Sequence, residues 1–380
     1  MGSKCCKILG GCTQLERERL KSFGMNGVFH KQGNVDRLYL KRKSGGRGLI
    51  SVEDCVRMEE RNLRNYLRGD ASVETLILAA RHVLLGDEEC KKERRHNGWC
   101  EFECFREETG EEYKERVKSE RCERLMEKKM HGRFFREVRE VADNSMFEWI
   151  NSASVNKATE GFVFAAQEQA LPTNFLKAKI TGESEDANCR ICRSELETVT
   201  HLVSSCRGLA QREYKRRHDR MGLRVYWEIC RKFGVKCSKY WYKECPDKVR
   251  KSECGDYEEW WDRPVETTKA LEHNRPDVVI IDRKNKFWTL IDFSVPNDKN
   301  VLSKGEEKVK NYEDLAKEIR KIHKVKTKTF LIVVGALGVL PTNLTDNLNF
   351  LEMPYIKKSL QMCAIIGSSI ILGKILNIQM

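Results

Sequence analysis

Proline is scarce in this sequence, and its distribution is uneven. The 380 residues contain seven prolines, all of them between Pro172 and Pro354. The first 171 residues therefore lack the residue that interrupts helices most strongly. They are rich in Glu, Lys and Arg, and residues 52–67 and 105–140 carry apolar side chains at helical spacing. We therefore predict a helical N-terminal region that covers residues 1–180.

Long hydrophobic runs are also missing. Residues 1–6 begin no sustained apolar run, so we do not expect an export leader. The sixteen cysteines are then expected to be reduced, with a few of them bound to metal. The most apolar stretch, residues 362–376, is interrupted by Gly367 and Lys374 and is too short to span a bilayer. It predicts a buried C-terminal helix, and no membrane partner is expected.

Positive charge is in excess. The formal net charge is +13, from 70 Lys and Arg against 57 Asp and Glu. This balance favours a polyanionic partner, nucleic acid first and an acidic membrane second, with a merely solvated basic surface as the alternative. Residues 212–220 form a basic helix candidate, followed by aromatic residues at Tyr226, Trp227, Tyr240, Trp241 and Tyr242.

A compact group of cysteines and a histidine follows a polar segment that begins at residue 183. Its four potential ligands are Cys189, Cys192, His201 and Cys206, in the order C-x2-C-x8-H-x4-C. Zn²⁺ prefers four thiolate or imidazole ligands in a tetrahedron, and a CxxC pair places two thiolates on one turn. The spacing predicts a zinc knuckle, with ordinary buried thiols as the alternative. Four protein ligands leave no open position, so the zinc would be structural.

Basic residues stand beside these ligands, and other cysteines are more loosely grouped. Arg190, Arg193 and Arg207 suit contact with phosphate, although they are equally compatible with a solvated surface. Two further groups fit no compact template and are expected to be free thiols. They are Cys90, His96, Cys100 and Cys104, and Cys230, Cys237, Cys245 and Cys254.

The spacing of apolar residues changes near residue 264, from a helical pattern to short strand-like runs. Residues 278–281 and 287–291 are β-branched or aromatic runs around a polar turn, residues 299–324 are helical in pattern, and residues 329–334 are a further apolar run. Two strands, a helix and a strand indicate a small α/β domain. A hairpin centred between Lys284 and Asn285 would set Asp277 directly across the ladder from Asp292, with Cβ atoms about 5 Å apart.

Two carboxylates this close repel each other unless a cation lies between them. Oxygen ligands favour Mg²⁺ or Mn²⁺, which can activate water and neutralise charge on a phosphodiester. An acidic pair on a solvated face is the alternative. Lys304, Lys308 and Tyr312 follow at four-residue steps on the next helix. This spacing would let Lys308 lean over the sheet edge and stabilise negative charge on phosphate, with an ordinary solvent-exposed lysine as the alternative.

Several short motifs resemble the C-terminal half of the polyprotein of non-LTR retrotransposons with a restriction-like endonuclease, especially the Dong-like group. The similarity runs over nearly the whole chain. The motifs are Asp36-Arg37-Leu38-Tyr39, Gly45-Gly46-Arg47-Gly48-Leu49, His131-Gly132-Arg133-Phe134, Thr159-Glu160-Gly161-Phe162, Gln169-Ala170-Leu171-Pro172-Thr173, the Cys189 to Cys206 cluster, and Glu213-Tyr214-Lys215-Arg216-Arg217-His218-Asp219.

Arg275-Pro276-Asp277 with Asp292 resembles the nuclease signature of that family, a variant of the PD-(D/E)xK pattern. Where the common pattern has lysine, two residues after the second acid, this chain has Ser294. The resemblance implies that the lysine is Lys308, supported by Tyr312, and it departs from relatives at Asn311. It further implies catalysis by Asp277, Asp292, Lys308 and Tyr312. We expect nucleic-acid contacts by Arg190, Arg193, Arg207, Arg216, Arg217 and Arg275.

The resemblance implies an α+β fold in three parts. Residues 1–180 would be a thumb-like and linker region, residues 181–255 the CCHC knuckle with basic and aromatic helices, and residues 256–380 a restriction-endonuclease-like domain. No Tyr-x-Asp-Asp polymerase signature occurs. The expected function is therefore Mg²⁺-dependent DNA nicking in the nucleus or nucleocytoplasm, with a reverse transcriptase supplied by another chain and element RNA as a further candidate partner. A catalytically inactive, zinc-knuckle nucleic-acid-binding protein is the alternative.

Overall fold

The computed structural model describes residues 2–27, 29–69, 108–151 and 155–378. The chain forms two compact units, Met1–Lys129 and Met130–Met380. These limits differ from the three predicted parts, which had boundaries at residues 180 and 255. The difference arises because residues 130–180, the Cys/His cluster and the sheet pack into one body.

The first unit is helical where it is described, as predicted from its lack of proline. The charged segment 105–140, however, is not one helix, because the chain turns between Glu127 and Arg133. The helix Gly110–Glu127 begins with a capping box in which the side chains of Thr109 and Glu112 each bond the other's backbone N–H. The described helices of this unit are α1 (Gly2–Met25), α2 (Asp36–Tyr39), α3 (Val52–Gly69) and α4 (Gly110–Glu127).

The second unit combines helices with one sheet, so the fold is α+β. Its helices are α5 (Arg133–Val138), α6 (Lys157–Gln167), α7 (Asn174–Leu176), α8 (Val199–Ser204), α9 (Arg207–Leu209), α10 (Lys215–Lys232), α11 (Val301–His323), α12 (Leu344–Phe350) and α13 (Lys357–Leu376). Its strands are β1 (Val249–Lys251), β2 (Tyr257–Trp261), β3 (Val278–Asp282), β4 (Phe287–Ser294) and β5 (Lys326–Val333).

The five strands lie in sequence order across the sheet. Strands β1 to β4 form an antiparallel meander, and β5 pairs with β4 in parallel after the crossover through α11. The predicted hairpin register is confirmed, since Val278 lies opposite Ile291 and Asp282 lies opposite Phe287. The predicted helix and final strand are confirmed as well. Strands β1 and β2 were not predicted.

Alternate residues of β3 and β4 point to opposite faces of the sheet and pack into two hydrophobic layers. On one face, Ile280 and Phe293 pack with apolar side chains of α10, α12 and α13. On the other face, Val279 and Leu290 pack with α11. Burial of each large apolar side chain stabilises the fold by about 1.5–3 kcal/mol. The sheet is therefore held rigidly between helices, with the ends of β3 and β4 near both α10 and α11.

Helix α13 explains why the predicted parts form one body. The side-chain amide of Gln361 donates to the backbone carbonyls of Met146 and Gly338, both at 2.7 Å. The stretch Pro354–Leu376 is long and apolar enough to cross a membrane by length and composition alone, yet 67% of its most apolar window is buried inside the protein. The prediction of a buried C-terminal helix is therefore confirmed.

Candidate functional site

The four predicted zinc ligands converge. The ligand atoms of Cys189, Cys192, His201 and Cys206 all lie within 4.8 Å of one another. The sulfurs of Cys189 and Cys206 are 3.8 Å apart, and Cys192 Sγ lies 3.3 Å from His201 Nε2. Tetrahedral Zn²⁺ with bonds of about 2.3 Å sets two sulfurs about 3.8 Å apart. The cluster can therefore bind a metal ion such as zinc.

Local structure prepares these ligands. His201 lies in the first turn of α8, and its backbone N–H donates to the side chain of the N-cap residue Thr198. Its Nδ1 lies 3.2 Å from Glu195 Oε2, which leaves Nε2 facing the thiols. The hydroxyl of Tyr214 accepts a hydrogen bond from Cys206 N at 3.0 Å and donates to His201 O at 3.1 Å. Tyr214 directly precedes α10, so these hydrogen bonds connect the cluster to the N-terminus of that helix.

The looser cysteine groups have different outcomes. Cys230, Cys237, Cys245 and Cys254 are free thiols that range from buried to exposed. Among the residues that the structure describes, these four do not come together as a metal group. The other group, Cys90, His96, Cys100 and Cys104, lies outside the described residues.

The acidic pair is formed by the confirmed hairpin. Asp277 comes directly before β3 and Asp292 lies within β4, one position beyond the opposed pair Val278 and Ile291. Asp292 is buried, and 20% of the Asp277 side chain is exposed. The backbone N–H of Phe293 donates to Asp277 Oδ2 at 2.8 Å, which ties the first acid to the strand that carries the second.

The predicted lysine and tyrosine reach the second acid from α11. Lys308 donates to Asp292 Oδ2 and, at 3.0 Å, to the carbonyl of Phe293. The hydroxyl of Tyr312 lies 3.0 Å from Asp292 Oδ1 and 3.2 Å from the carbonyl of Arg275. The structure thus brings together the four residues predicted to be catalytic. Lys304 instead pairs with Glu307 on the exposed face of the helix.

His218 is a member of this group that sequence reasoning did not identify. Its Nε2 lies 3.1 Å from Asp277 Oδ2 and 3.2 Å from the carbonyl of Phe293, and its Nδ1 lies 3.1 Å from Asp219 Oδ1. A signal was present, because His218 stands three residues before the buried Met221 on an amphipathic helix. That spacing turns the imidazole toward the sheet.

Burial and charge set the protonation of the acidic pair. Burial and the charge of Asp277 raise the pKa of Asp292 to about 6, against the opposing effect of Lys308. Burial also acts to raise the pKa of Asp277, but the hydrogen bond and charge of His218 bring it below its ordinary value. Burial acts to lower the pKa of His218, yet its bonds to Asp219 and Asp277 raise it to about 10. At neutral pH two carboxylates therefore face two cations.

A cleft of about 340 Å³ opens onto this group. It is bordered by α10, the loop before β3 and the first turns of α11. Asp277, His218 and Lys308 all line it. Among the remaining lining residues, Lys215 adds a further positive side chain and Trp261 an aromatic ring. The lining thus combines the basic residues Lys215, Arg217, His218 and Lys308 with the acidic residues Asp219, Asp262 and Asp277.

The arginines predicted to contact nucleic acid separate into two kinds. Arg193, Arg207, Arg216 and Arg275 are exposed, and Arg275 pairs with Asp262 at 2.7 Å. Arg190 is half-buried and bonds Glu197 and the carbonyl of Ile375, so its guanidinium is engaged within the fold.

For Arg217 the structure contradicts the predicted contact with nucleic acid. The side chain is 4% exposed, and its guanidinium donates to Ser368 Oγ at 2.7 Å and to the carbonyl of Val295 at 3.1 Å. Helical periodicity explains the difference from its neighbour, since Arg217 lies one turn before the buried Met221 and Arg216 points to solvent. A phosphate-contacting role for Arg217 is therefore wrong, because the guanidinium cross-links α10 to α13.

The comparisons with known proteins give no family to which the chain can be assigned. No model of a protein family and no curated protein matches it.

Proposed function

We propose that this chain is a Mg²⁺-dependent DNA endonuclease that nicks one strand, with a restriction-like catalytic domain and a structural zinc knuckle. The observation that carries the proposal is the convergence of Asp277 and Asp292 from opposed strands with Lys308 and Tyr312 from the next helix. This arrangement fits the PD-(D/E)xK variant that the sequence resembles, in which the lysine comes from the following helix.

The donor set fits a hard divalent cation. The carbonyl of Phe293 lies near both acids, because His218 contacts it together with Asp277 and Lys308 contacts it together with Asp292. Mg²⁺ and Mn²⁺ prefer such oxygen ligands. When bound, the ion would supply an activated water and neutralise charge on the phosphodiester.

The surrounding side chains then have distinct tasks. Lys308 holds a positive charge between the acidic pair and the cleft, where it can stabilise charge that develops on a phosphate. Tyr312 fixes the orientation of the Asp292 carboxylate through a 3.0 Å hydrogen bond. The exposed Arg216 and Arg275 are suited to contacts with the DNA backbone.

In the proposed enzyme the Cys/His cluster has a structural role. Zinc would hold residues 189–206 in shape, and Tyr214 would transmit that order to α10, which carries His218. At its surface the exposed Arg207, and Arg193 with its exposed ion pair to Asp186, are suited to contact phosphate. The proposal places the chain with DNA in the nucleus or nucleocytoplasm, and a reverse transcriptase on another chain would use the nicked end.

The proposal is tested with supercoiled plasmid. Purified chain in Mg²⁺ is expected to convert the plasmid to the open circle, and Asp277→Ala or Asp292→Asn to abolish the conversion. Asp282→Asn is the matched control, because Asp282 lies on the same hairpin and bonds the turn at Asn285. Thermal melts verify that each variant is folded. Equal rates for the wild type and Asp277→Ala would overturn the catalytic assignment.

One observation favours a second candidate, an inactive nucleic-acid-binding protein. His218 and Lys308 already place two positive charges against the two carboxylates, so the pair is neutralised without a metal ion. The same plasmid experiment separates the candidates. Binding without relaxation, lost when zinc is chelated, would favour the inactive protein.

A further inference from the structure

An exposed aromatic turn lies beyond the end of α10. We define the aromatic turn as residues 239–243, and its rings are Tyr240, Trp241 and Tyr242. The side chains of Tyr240 and Tyr242 are 43% and 56% exposed. Their rings are stacked, with centroids 5.5 Å apart and planes 14° apart, and the Trp241 ring meets Tyr242 edge-on at 5.9 Å. Clustered aromatic rings left in water commonly mark a binding surface.

The aromatic turn is held by buried groups beneath it. Glu244 is buried and accepts hydrogen bonds from Ser238 N and, at 2.7 Å, from Arg250 Nη1. Arg250 also donates to the carbonyl of Cys245 at 2.7 Å, and Trp227 Nε1 donates to the carbonyl of Ser238 at 2.7 Å. The exposed rings are therefore presented on a fixed scaffold, which lowers the entropy cost of binding to them.

Positive charges surround these rings. The ammonium groups of Lys239 and Lys243 each lie 5.5 Å from the centroid of Tyr240. The guanidinium groups of Arg220 and Arg224 lie 5.5 and 6.0 Å from the centroid of Trp241. Aromatic faces interleaved with cations suit a ligand that carries both flat rings and negative charge.

We propose that the aromatic turn binds unpaired bases of single-stranded DNA. Bases stack on aromatic side chains whatever their identity, while lysine and arginine track the phosphates. In duplex DNA the flat faces of the bases are stacked on one another and cannot reach Tyr240 or Tyr242. The commitment to DNA rests on the proposed function, since α10 carries both His218 at the acidic pair and Arg220 at the turn.

The test measures the binding of fluorescein-labelled dT12 to the full chain by anisotropy, without added Mg²⁺. Wild type is expected to bind dT12. Tyr240→Ala with Tyr242→Ala is expected to weaken this binding at least tenfold, in line with the known contribution of base–aromatic stacking. Tyr240→Phe with Tyr242→Phe keeps both rings and is expected to bind within about twofold of the wild type.

Two controls accompany these variants. Ile180→Ala removes an apolar side chain that is 56% exposed elsewhere on the same unit, and dT12 binding should stay within about twofold of the wild type. A duplex of equal length should bind the alanine double variant about as well as it binds the wild type, because phosphate contacts are unchanged. Thermal melts and zinc content verify that the variants are folded.

Several outcomes would overturn the proposal. One is dT12 binding by the alanine double variant at wild-type strength, and another is an equal loss in the phenylalanine double variant. Preference for rU12 over dT12 by tenfold or more would reassign the ligand to RNA and overturn the DNA assignment. Plasmid nicking is scored separately. If nicking is absent but dT12 binding depends on the two rings, the proposed function fails and the aromatic turn stands as a DNA-binding site.

Discussion

The ammonium group of Lys308 donates a hydrogen bond to the carboxylate of Asp292, although the two residues are 16 positions apart. The contact requires the crossover from β4 into α11, which returns Lys308 to the end of the hairpin. Position 294, where lysine is common in PD-(D/E)xK enzymes, is a half-buried serine here. The structure therefore puts a cation at the acidic pair from a different element of the fold.

Lys308→Met is expected to reduce the proposed plasmid nicking about 100-fold, because removal of a preorganised charge at a reacting phosphate typically costs that much. Plasmid binding should change little, since the exposed arginines remain. Lys304→Met is the matched control, because Lys304 lies one turn earlier and pairs with Glu307. Initial rates of open-circle formation provide the measurement. Equal rates for Lys308→Met and Lys304→Met would contradict a catalytic role for Lys308.

Zinc content provides a second prediction. The purified chain should contain one zinc per molecule, and Cys206→Ser should lose it, because the serine hydroxyl is a poor replacement for a buried thiolate. The melting temperature should fall by roughly 5 °C or more, since 1 kcal/mol corresponds to about 2–4 °C in a unit of this size. Elemental analysis and thermal melts provide the measurements.

The control for the zinc experiment is Cys245→Ser. Cys245 is exposed and belongs to none of the metal groups found in the described part of the chain. Zinc content and melting temperature should both stay at wild-type values. A full zinc equivalent in Cys206→Ser would exclude the four-ligand site.

Arg216 and Arg217 are neighbours with opposite expected roles. Arg216→Ala should leave stability unchanged and weaken plasmid binding, with a salt dependence reduced by about one counterion. Arg217→Ala should lower the free energy of unfolding by about 3 kcal/mol, since it removes buried hydrogen bonds to Ser368 and Val295 and leaves a cavity. Salt titrations of binding and urea unfolding separate the two effects. The reverse pattern would contradict a structural role for Arg217.

The parts of the site that could be predicted belong to elements whose apolar residues recur with a clear strand or helix period. The hairpin register follows from two β-branched runs and a short polar turn, so the placement of Asp277 opposite Asp292 was accessible from the sequence. The positions of Lys308 and Tyr312 follow from helical spacing. Each of these features depends on residues close together in sequence or on one regular element.

The parts that could not be predicted depend on tertiary burial. Strand β2 contains Glu258 and Glu259, whose charge disfavours a buried strand, yet both are buried. His218 stands within a basic helix, and its contact with Asp277 spans 59 residues. In the sequence nothing distinguishes Arg217 from the other basic residues of α10, because its burial depends on contact with α13. Polar residues that the fold encloses carry little sequence signal, because composition assigns them to the surface.

Glu259 gives the last prediction, a pH dependence of stability. Its side chain is 0% exposed, one carboxylate oxygen has no hydrogen-bond partner among the described residues, and the other accepts from Cys230 Sγ at 2.9 Å. Burial raises its pKa to about 7. A raised carboxyl pKa favours the folded state when the group is protonated. This contribution is therefore fully present below pH 4.5 and is lost as the pH rises through 7.

Glu259→Gln removes the titration while keeping the shape of the side chain. The variant should become more stable than the wild type as pH rises from 4.5 to 7. The gain should level off near 3 kcal/mol, about 1.36 kcal/mol for each pH unit of the shift. Urea unfolding, followed by tryptophan fluorescence, gives the free energy at each pH. Glu253→Gln, an exposed position on the same hairpin, should show no such gain. A pH-independent difference between Glu259→Gln and the wild type would show that Glu259 does not titrate in this window, because a buried carboxyl that loses its proton must weaken the folded state.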